Sequence, residues 1–584
     1  MLRENVGPIF PNVLSSDFEI GSDRDIRIGS PGGGEGESSD APARPLIDGG
    51  PAGGSGQLLT LVCPSTEQAF AQVACAGPDD VDRAVESAAR CLTLWRGTAF
   101  EERGRRLRRL ATLIYEQRLQ IAQLISREQG KPFLEALSLE VIPALDHLRF
   151  VIHHAERYNA GLAVEPRHPF YTHKRAHYLY DPVGLVALVT PSPMPFAVPL
   201  IQVAAALAMG NAVVLKPSER TPLSALRIGE LCTQAGFPPG LVNVIPALVE
   251  DTLHLVAHPR VAKVFVTGSL EAGQSIMATA GCSPRPVVLC LGGKHPSIVA
   301  GDADVRRAVR GVVWGALANC GQNCGSVERV FVDERVASRF MEYLVQEVER
   351  VRVGNALEEG VDVGPMLSAE RREAVHRQVT EAVAAGAKLL CGGEIPSGPG
   401  YFYPPTVVFE PPPDCRLMRE ETLGPVIPVV VTRSLERAIM LANESEYALT
   451  ASGWTNSPET AERLMVGLHT GVVTVNDVLY SFGEPASTWS GSGKSGMGQN
   501  HGSPGLREMS RQRFVSYDPC PAEAPLFAFP YDEGNYKAAE ASVEYLNSRS
   551  YFGRLRALWR LTRLDRFSSR VPLRGLLAAT RRHI

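Results

Sequence analysis

The sequence predicts an α/β protein in which a parallel, nucleotide-binding sheet and a second α/β region share a cleft with a reactive thiol. Three observations carry this. After Asp181, short apolar strands alternate with helices (GLVALV, NAVVLK, VNVIP, KVFVTG, VVLCLGG), which implies crossover helices and a ligand site beyond the carboxyl ends of the strands. A second alternating region runs from His295 to about Phe482, with the helical ASRFMEYLVQEVERV and strands in PVIPVVVT and GVVTVN. Within this second region lies Cys324, directly after Gly321, Gln322 and Asn323. A helical pattern (Val305, Ala308, Val309, Val312, Val313, Ala316) precedes it and a strand pattern (Val327, Val330, Val332) follows.

Taken in order, residues 1–57 are expected to be disordered, because SPGGGEGESSDAPARP and its surroundings offer little apolar surface to offset ordering entropy. Strand patterns follow at LLTLV and near Ala71 to Ala76, then GPDDVDRAVESAARCL with Val81, Ala84, Val85, Ala88 and Leu92 at helical spacing. Two longer helices are expected in RGRRLRRLATLIYEQRLQIAQLISREQ and LEALSLEVIPALDHLRFVIHHAERY, broken by Gly130, Lys131 and Pro132. The longest uncharged run, Pro195 to Leu215, contains Pro199, Gln202, Gly210 and Asn211 and reads as a buried helix, a turn and a strand, not a membrane span. A formal charge of −4 gives no general argument for nucleic acid. Eleven scattered cysteines without a CxxC pair suit a reducing cytoplasm, and MLRENVGPIFPNVL lacks the layout of a signal peptide.

A thiol at a helix-to-strand junction can act as a nucleophile whose thiolate and oxyanion are favoured by nearby backbone N–H groups. A buried core cysteine is the alternative reading of the same residue. Lys216 and Glu219 lie just past a strand of the predicted sheet, where a lysine meets ribose or phosphate oxygens and an acid bonds a ribose hydroxyl, which leans toward NAD over NADP. Gly268 and Ser269 open a helix after KVFVT, where a backbone without Cβ and a helix N-terminus suit a pyrophosphate. No His/Cys spacing supplies a metal site, and a Cys290–Cys324 redox pair is a minor alternative. His295 is expected to pack or face solvent.

The blocks LGGK (Leu291 to Lys294), GQNC (Gly321 to Cys324) and EETLGPV (Glu420 to Val426) resemble three signature blocks of the aldehyde dehydrogenase superfamily, in that family's order and about its spacing. Further matches are DPVGLVALVTP, GNAVVLKPSERTP, AGFPPGLVNVIP, VTGSLEAG and TVND, so the resemblance covers roughly Leu58 to Val515. It implies a Rossmann-type cofactor domain over 58–291, interrupted by a bridging arm at about 163–182, and a catalytic domain over 292–487. A cleft segment and second arm strand follow over 488–518, with an extension over 519–584. It implies thiolate attack on an aldehyde, hydride transfer to NAD, with NADP as alternative, and a thioester that water hydrolyses. Glu421 is implied at the nicotinamide ribose. The arm, His173 to Asp181 with Gln512 to Tyr517, implies a homodimer or homotetramer.

Two departures qualify this. Counting back from Lys216, Pro193 stands where the family carries an oxyanion Asn, and loss of one such donor typically costs about a hundred- to a thousandfold in rate. Cys290 stands where family members that hydrolyse their thioester carry a general-base Glu, worth roughly a hundred- to ten-thousandfold. The readings are therefore an aldehyde dehydrogenase with an unconventional base, a relative that releases its acyl group to coenzyme A, and an impaired, cofactor-binding scaffold. Finally, residues 548–584 hold ten arginines and one acid, with Phe552, Leu555, Leu558 and Trp559 expected on one helical face. Such a helix docks on the protein's own body or a second subunit, or makes peripheral contact with an anionic membrane. No groove-reading motif supports nucleic acid.

Overall fold

In a computed structural model, the structure describes residues 41–166, 168, 171, 173–519 and 529–563. The first alternating region forms an eight-stranded sheet. Its order is Gly50–Pro51, Leu46–Ile47, Val242–Val244, Ala212–Lys216, Leu185–Val189, Val261–Gly268, Val287–Leu291 and Gly496–Met497. The five central strands are parallel. Leu185–Val189 and Ala212–Lys216 are buried at every residue, which is why they read as continuous apolar runs instead of alternating ones. Helices Pro78–Trp95 and Ala197–Ala208 pack against them. The uncharged run from Pro195 to Leu215 thus forms a buried helix, a turn at Gly210 and a strand.

The second region forms a seven-stranded sheet in the order Lys388–Cys391, Thr406–Phe409, Val426–Thr432, Val327–Asp333, His295–Val299, Thr450–Trp454 and Val472–Val475. All neighbours are parallel except the first pair. Only Gly292, Gly293 and Lys294 separate the end of Val287–Leu291 in one sheet from the start of His295–Val299 in the other. That short passage fixes Cys290 and His295 close to the junction of the sheets.

Several expectations need correction. Residues 42–57 are ordered, not disordered: Leu46 and Ile47 are buried, Leu46 pairs with Val244, and the Ala43 N–H donates to Gln72 O at 2.8 Å. Composition missed this because the edge strand supplies backbone partners that a Gly- and Pro-rich segment can use without a large apolar face. Residues 1–40, the rest of that expectation, lie outside the described residues. The first long helix is two, Phe100–Glu116 and Arg118–Gln129, and the next opens with a π-helical turn, Ala136–Val141, before Ile142–Asn159. Pro143, which has no N–H to donate, sits at this junction.

The arm is a three-stranded antiparallel sheet of Ser510–Tyr517, Arg175–Pro182 and Leu162–Val164, with Gln512 opposite Tyr180 and Tyr517 opposite Arg175. The C-terminal extension is a helical hairpin, Glu533–Asn547 and Tyr551–Thr562. Its core is Ala538, Ala541 and Tyr545 against Ala557, Leu558 and Leu561. Leu558 therefore faces inward, not out beside Phe552 and Trp559 as the helical pattern had suggested; the first helix of the hairpin supplies the partner surface. Residues 564–584 of the extension are outside the described set.

Candidate active site

The nucleophile candidate sits on a loop that three consecutive left-handed residues shape. Helix Val305–Leu317, capped by Asp304, ends at Ala318. Asn319, Cys320 and Gly321 then have φ of 56°, 57° and 69°. Gly321 is required here, since a Cβ would fall 2.2 Å from the carbonyl oxygen of Gly424. Side chains lock the turn. Asn319 Nδ2 donates to Gln322 O (2.7 Å) and Pro193 O (3.1 Å), the Asn319 N–H donates to Glu135 (2.8 Å), and Gln322 Oε1 accepts from the Leu367 N–H (2.9 Å).

His295 reaches the same loop from the strand beside it. Its Nε2 donates to the carbonyl of Cys324 at 2.6 Å and its Nδ1 accepts from the Thr450 N–H at 3.4 Å. Burial lowers its pKa to about 4, so the ring is neutral with its proton on Nε2. This residue was expected merely to pack or face solvent; its position immediately after LGGK was the signal of its proximity.

All eight residues singled out in the sequence, Pro193, Lys216, Glu219, Gly268, Ser269, Cys290, Cys324 and Glu421, line one cavity of about 540 Å³. Cys324 does not have the favoured thiolate expected of it. Burial, then the neighbouring Cys290 and Glu421, raise its pKa, and its own backbone N–H offsets this only in part. Cys290 is buried and pushed up to about 11 by burial, against a hydrogen bond from the Asn500 side chain. It is a thiol, not a base, at neutral pH. Both sulfurs meet an apolar cluster that includes Met194, Val198, Phe482 and Trp489.

Pro193 offers no side-chain donor, and its carbonyl accepts from Lys131 Nζ (3.0 Å) as well as from Asn319. Lys131 is wholly buried in an ion pair with Glu140, whose other oxygen accepts the N–H groups of Phe196 (3.2 Å) and Ala197 (2.7 Å). This pair anchors the cavity-wall loop, a role that the Gly130-Lys131-Pro132 helix break does not reveal.

At the opposite side, Glu421 accepts from the Gly293 N–H (3.0 Å) and is raised to about 7 by burial and then by Glu328. Its loop is held by Glu328, which accepts from the Thr422 and Leu423 N–H groups and from Lys294 Nζ at 2.8 Å. Lys294 of the LGGK block is thus a buried structural cation.

The remaining cavity wall fits a dinucleotide. Lys216 is buried with its pKa lowered by desolvation, and Glu219 lies 3.4 Å from its Nζ. A Cβ on Gly268 would meet nothing within 4 Å, so the space above this backbone is open. Ser269 caps helix Leu270–Gly281 by accepting from the Ala272 N–H at 3.3 Å, which leaves the positive end of the helix dipole at the cavity. The buried Thr190 hydroxyl on the same wall has no partner among the described residues. Anionic oxygens and ribose hydroxyls match these donors and acceptors. Among the described residues no cluster of His, Cys, Asp and Glu could hold a metal ion.

The sequence model of the aldehyde dehydrogenase family matches residues 52–515. The mitochondrial aldehyde dehydrogenase of Equus caballus is 35% identical over 467 residues, covering 79% of this chain and 92% of its own. Among solved structures, an NAD+ complex of aldehyde dehydrogenase from Bacillus cereus superposes with a TM-score of 0.79 at 31% identity, covering 82% of this chain and 97% of that one. An NADP-dependent enzyme of E. coli gives a TM-score of 0.79 at 29% identity, over 82% and 99%.

Proposed function

This chain belongs to the aldehyde dehydrogenase family, and from that premise we propose how it carries out the NAD(P)-dependent oxidation of an aldehyde to a carboxylic acid. The observation that carries the assignment is the single cavity on which Cys324 and the dinucleotide-fitting wall meet. NAD(P)+, when bound, supplies the hydride acceptor. Cys324 is the nucleophile: its thiolate adds to the aldehyde carbon to give a thiohemiacetal oxyanion, whose C=O re-forms as a Cys324 thioester when the carbon gives up hydride, and water then displaces the thiolate to release the carboxylic acid. Burial keeps Cys324 protonated at rest, and the thiol loses its proton before attack. The backbone N–H of Cys324 receives the oxyanion. His295 orients the loop through the Cys324 carbonyl, and Lys216, Glu219, Gly268, Ser269 and Glu421 hold the cofactor. The apolar cluster around the two sulfurs favours a neutral aldehyde.

One observation favours a second reading for the last step. The protonated, asparagine-bonded thiol of Cys290 supplies no base for water, which suits release of the acyl group to coenzyme A. Assembly is assigned to the arm: Phe514, 55% exposed, lies on its outer strand, Ser510–Tyr517, and pairing of arms builds a homodimer or homotetramer. A reducing cytoplasm suits the ten described cysteines, all free.

The test is reduced cofactor formed per Cys324, with a panel of aldehydes, NAD+ or NADP+, and with or without coenzyme A. Sustained turnover without coenzyme A supports hydrolysis, and dependence on it supports acyl transfer. One equivalent followed by a stall means that thioester release is lost. No reduced cofactor in a folded, cofactor-binding protein, or activity that survives Cys324→Ser, overturns the assignment.

A further inference from the structure

We propose that the outer face of the C-terminal helical hairpin docks on a lipid surface rich in anionic headgroups. The hairpin buries mainly small and medium residues between its helices, Ala538, Ala541, Ala557, Leu558 and Leu561, with Tyr545. Its other large apolar side chains are left outside. Phe552 is 80% exposed, Trp559 55% and Leu555 37%, and their i, i+3, i+7 spacing puts them on one side of Tyr551–Thr562. Arginines border one side of this stripe. The Arg563 guanidinium lies 3.8 Å from the centre of the Trp559 ring, and Arg556 and Arg560 follow beside it, pairing with Glu544 of the first helix. An aromatic stripe with a cationic border is the pattern of a helix lying in the membrane interface. Among the described residues no helix is long and apolar enough to cross a membrane.

Charge distribution selects the lipid class. Residues 548–584 carry ten arginines and Asp565, a formal +9, and the chain total of −4 leaves −13 for residues 1–547. An anionic surface therefore attracts this segment and repels the rest, which fixes the side presented to it. The composition continues past the described helix: Arg566, Arg570 and Arg574 alternate with Phe567, Val571 and Leu573.

The experiment sediments the full chain with vesicles of phosphatidylcholine alone or with about one third phosphatidylglycerol. Phosphatidylglycerol is expected to raise affinity about tenfold or more, and about 0.5 M salt to remove most of that gain. The double variant Phe552→Ser with Trp559→Ser should lose about tenfold in vesicle affinity while keeping its rate of cofactor reduction and its mass by light scattering. Binding indifferent to phosphatidylglycerol, or unchanged in the double variant, overturns the proposal. So does a fall in particle mass in the double variant, which would mean that a second copy covers the stripe.

Discussion

Cys290 stands where the family resemblance implies a general-base Glu, and its surroundings say what a carboxylate would do there. The burial that pushes its thiol to about 11 also raises a carboxyl, toward the neutral range where a general base works best. Cys290→Glu is therefore expected to speed steady-state turnover by about a hundred- to ten-thousandfold if thioester hydrolysis is limiting; an unchanged rate would move the defect to Pro193. Glu421 gives a pH prediction. Its folded pKa of about 7 lies above the ordinary 4.5, so the folded chain keeps a proton that the unfolded chain has released between those values. Its contribution to stability is full below 4.5 and lost as pH rises through 7. Cofactor binding moves the other way, because only the carboxylate, one oxygen of which already accepts from the Gly293 N–H, is a pure acceptor for ribose hydroxyls. The cofactor KM should fall as pH rises through about 7, and Glu421→Gln should flatten that profile.

Among the connecting elements, the loop from Pro193 to Ala197 is held by the buried Lys131–Glu140 pair, both ends of which also bond loop backbone. Lys131→Met leaves an uncompensated buried carboxylate and is expected to cost about 3–5 kcal/mol, read from the denaturant midpoint. Adding Glu140→Gln should recover much of that loss. This pair marks the limit of sequence reading. Strands such as Ala212–Lys216 were legible because continuous burial writes itself as an uninterrupted apolar run, and Cys324, Lys216 and Glu421 were legible through short motifs. Lys131 and Glu140 are ordinary charged residues until tertiary packing removes water from both, and no periodicity records that. The LGGK block placed His295 near the site, but its bond to the Cys324 carbonyl is made by tertiary packing, and the raised pKa of Cys324 depends on walls contributed by several distant segments. The ordered strand Leu46–Ile47 escaped because two apolar residues are too few to stand out from a Gly-rich background.

For the molecule as a whole, the arm sheet ends on Ser510–Tyr517 and Leu162–Val164, neither of which has an outer strand partner among the described residues, and the proposed assembly through it makes size the quantity to measure. Light scattering should give two or four times the 63.1 kDa chain mass, and Phe514→Glu should shift that toward one; a wild-type chain that stays monomeric sinks the assignment. A different edge bears on how the chain is handled. The match to the family begins at residue 52, yet Leu46–Ile47 and Gly50–Pro51 form the rim of the eight-stranded sheet. Trimming an expression clone to the family match would strip that rim and take from Val244 its partner Leu46, leaving an edge open to strand addition between molecules. Such a clone is expected to fail first by precipitating at high concentration, with its catalytic residues untouched.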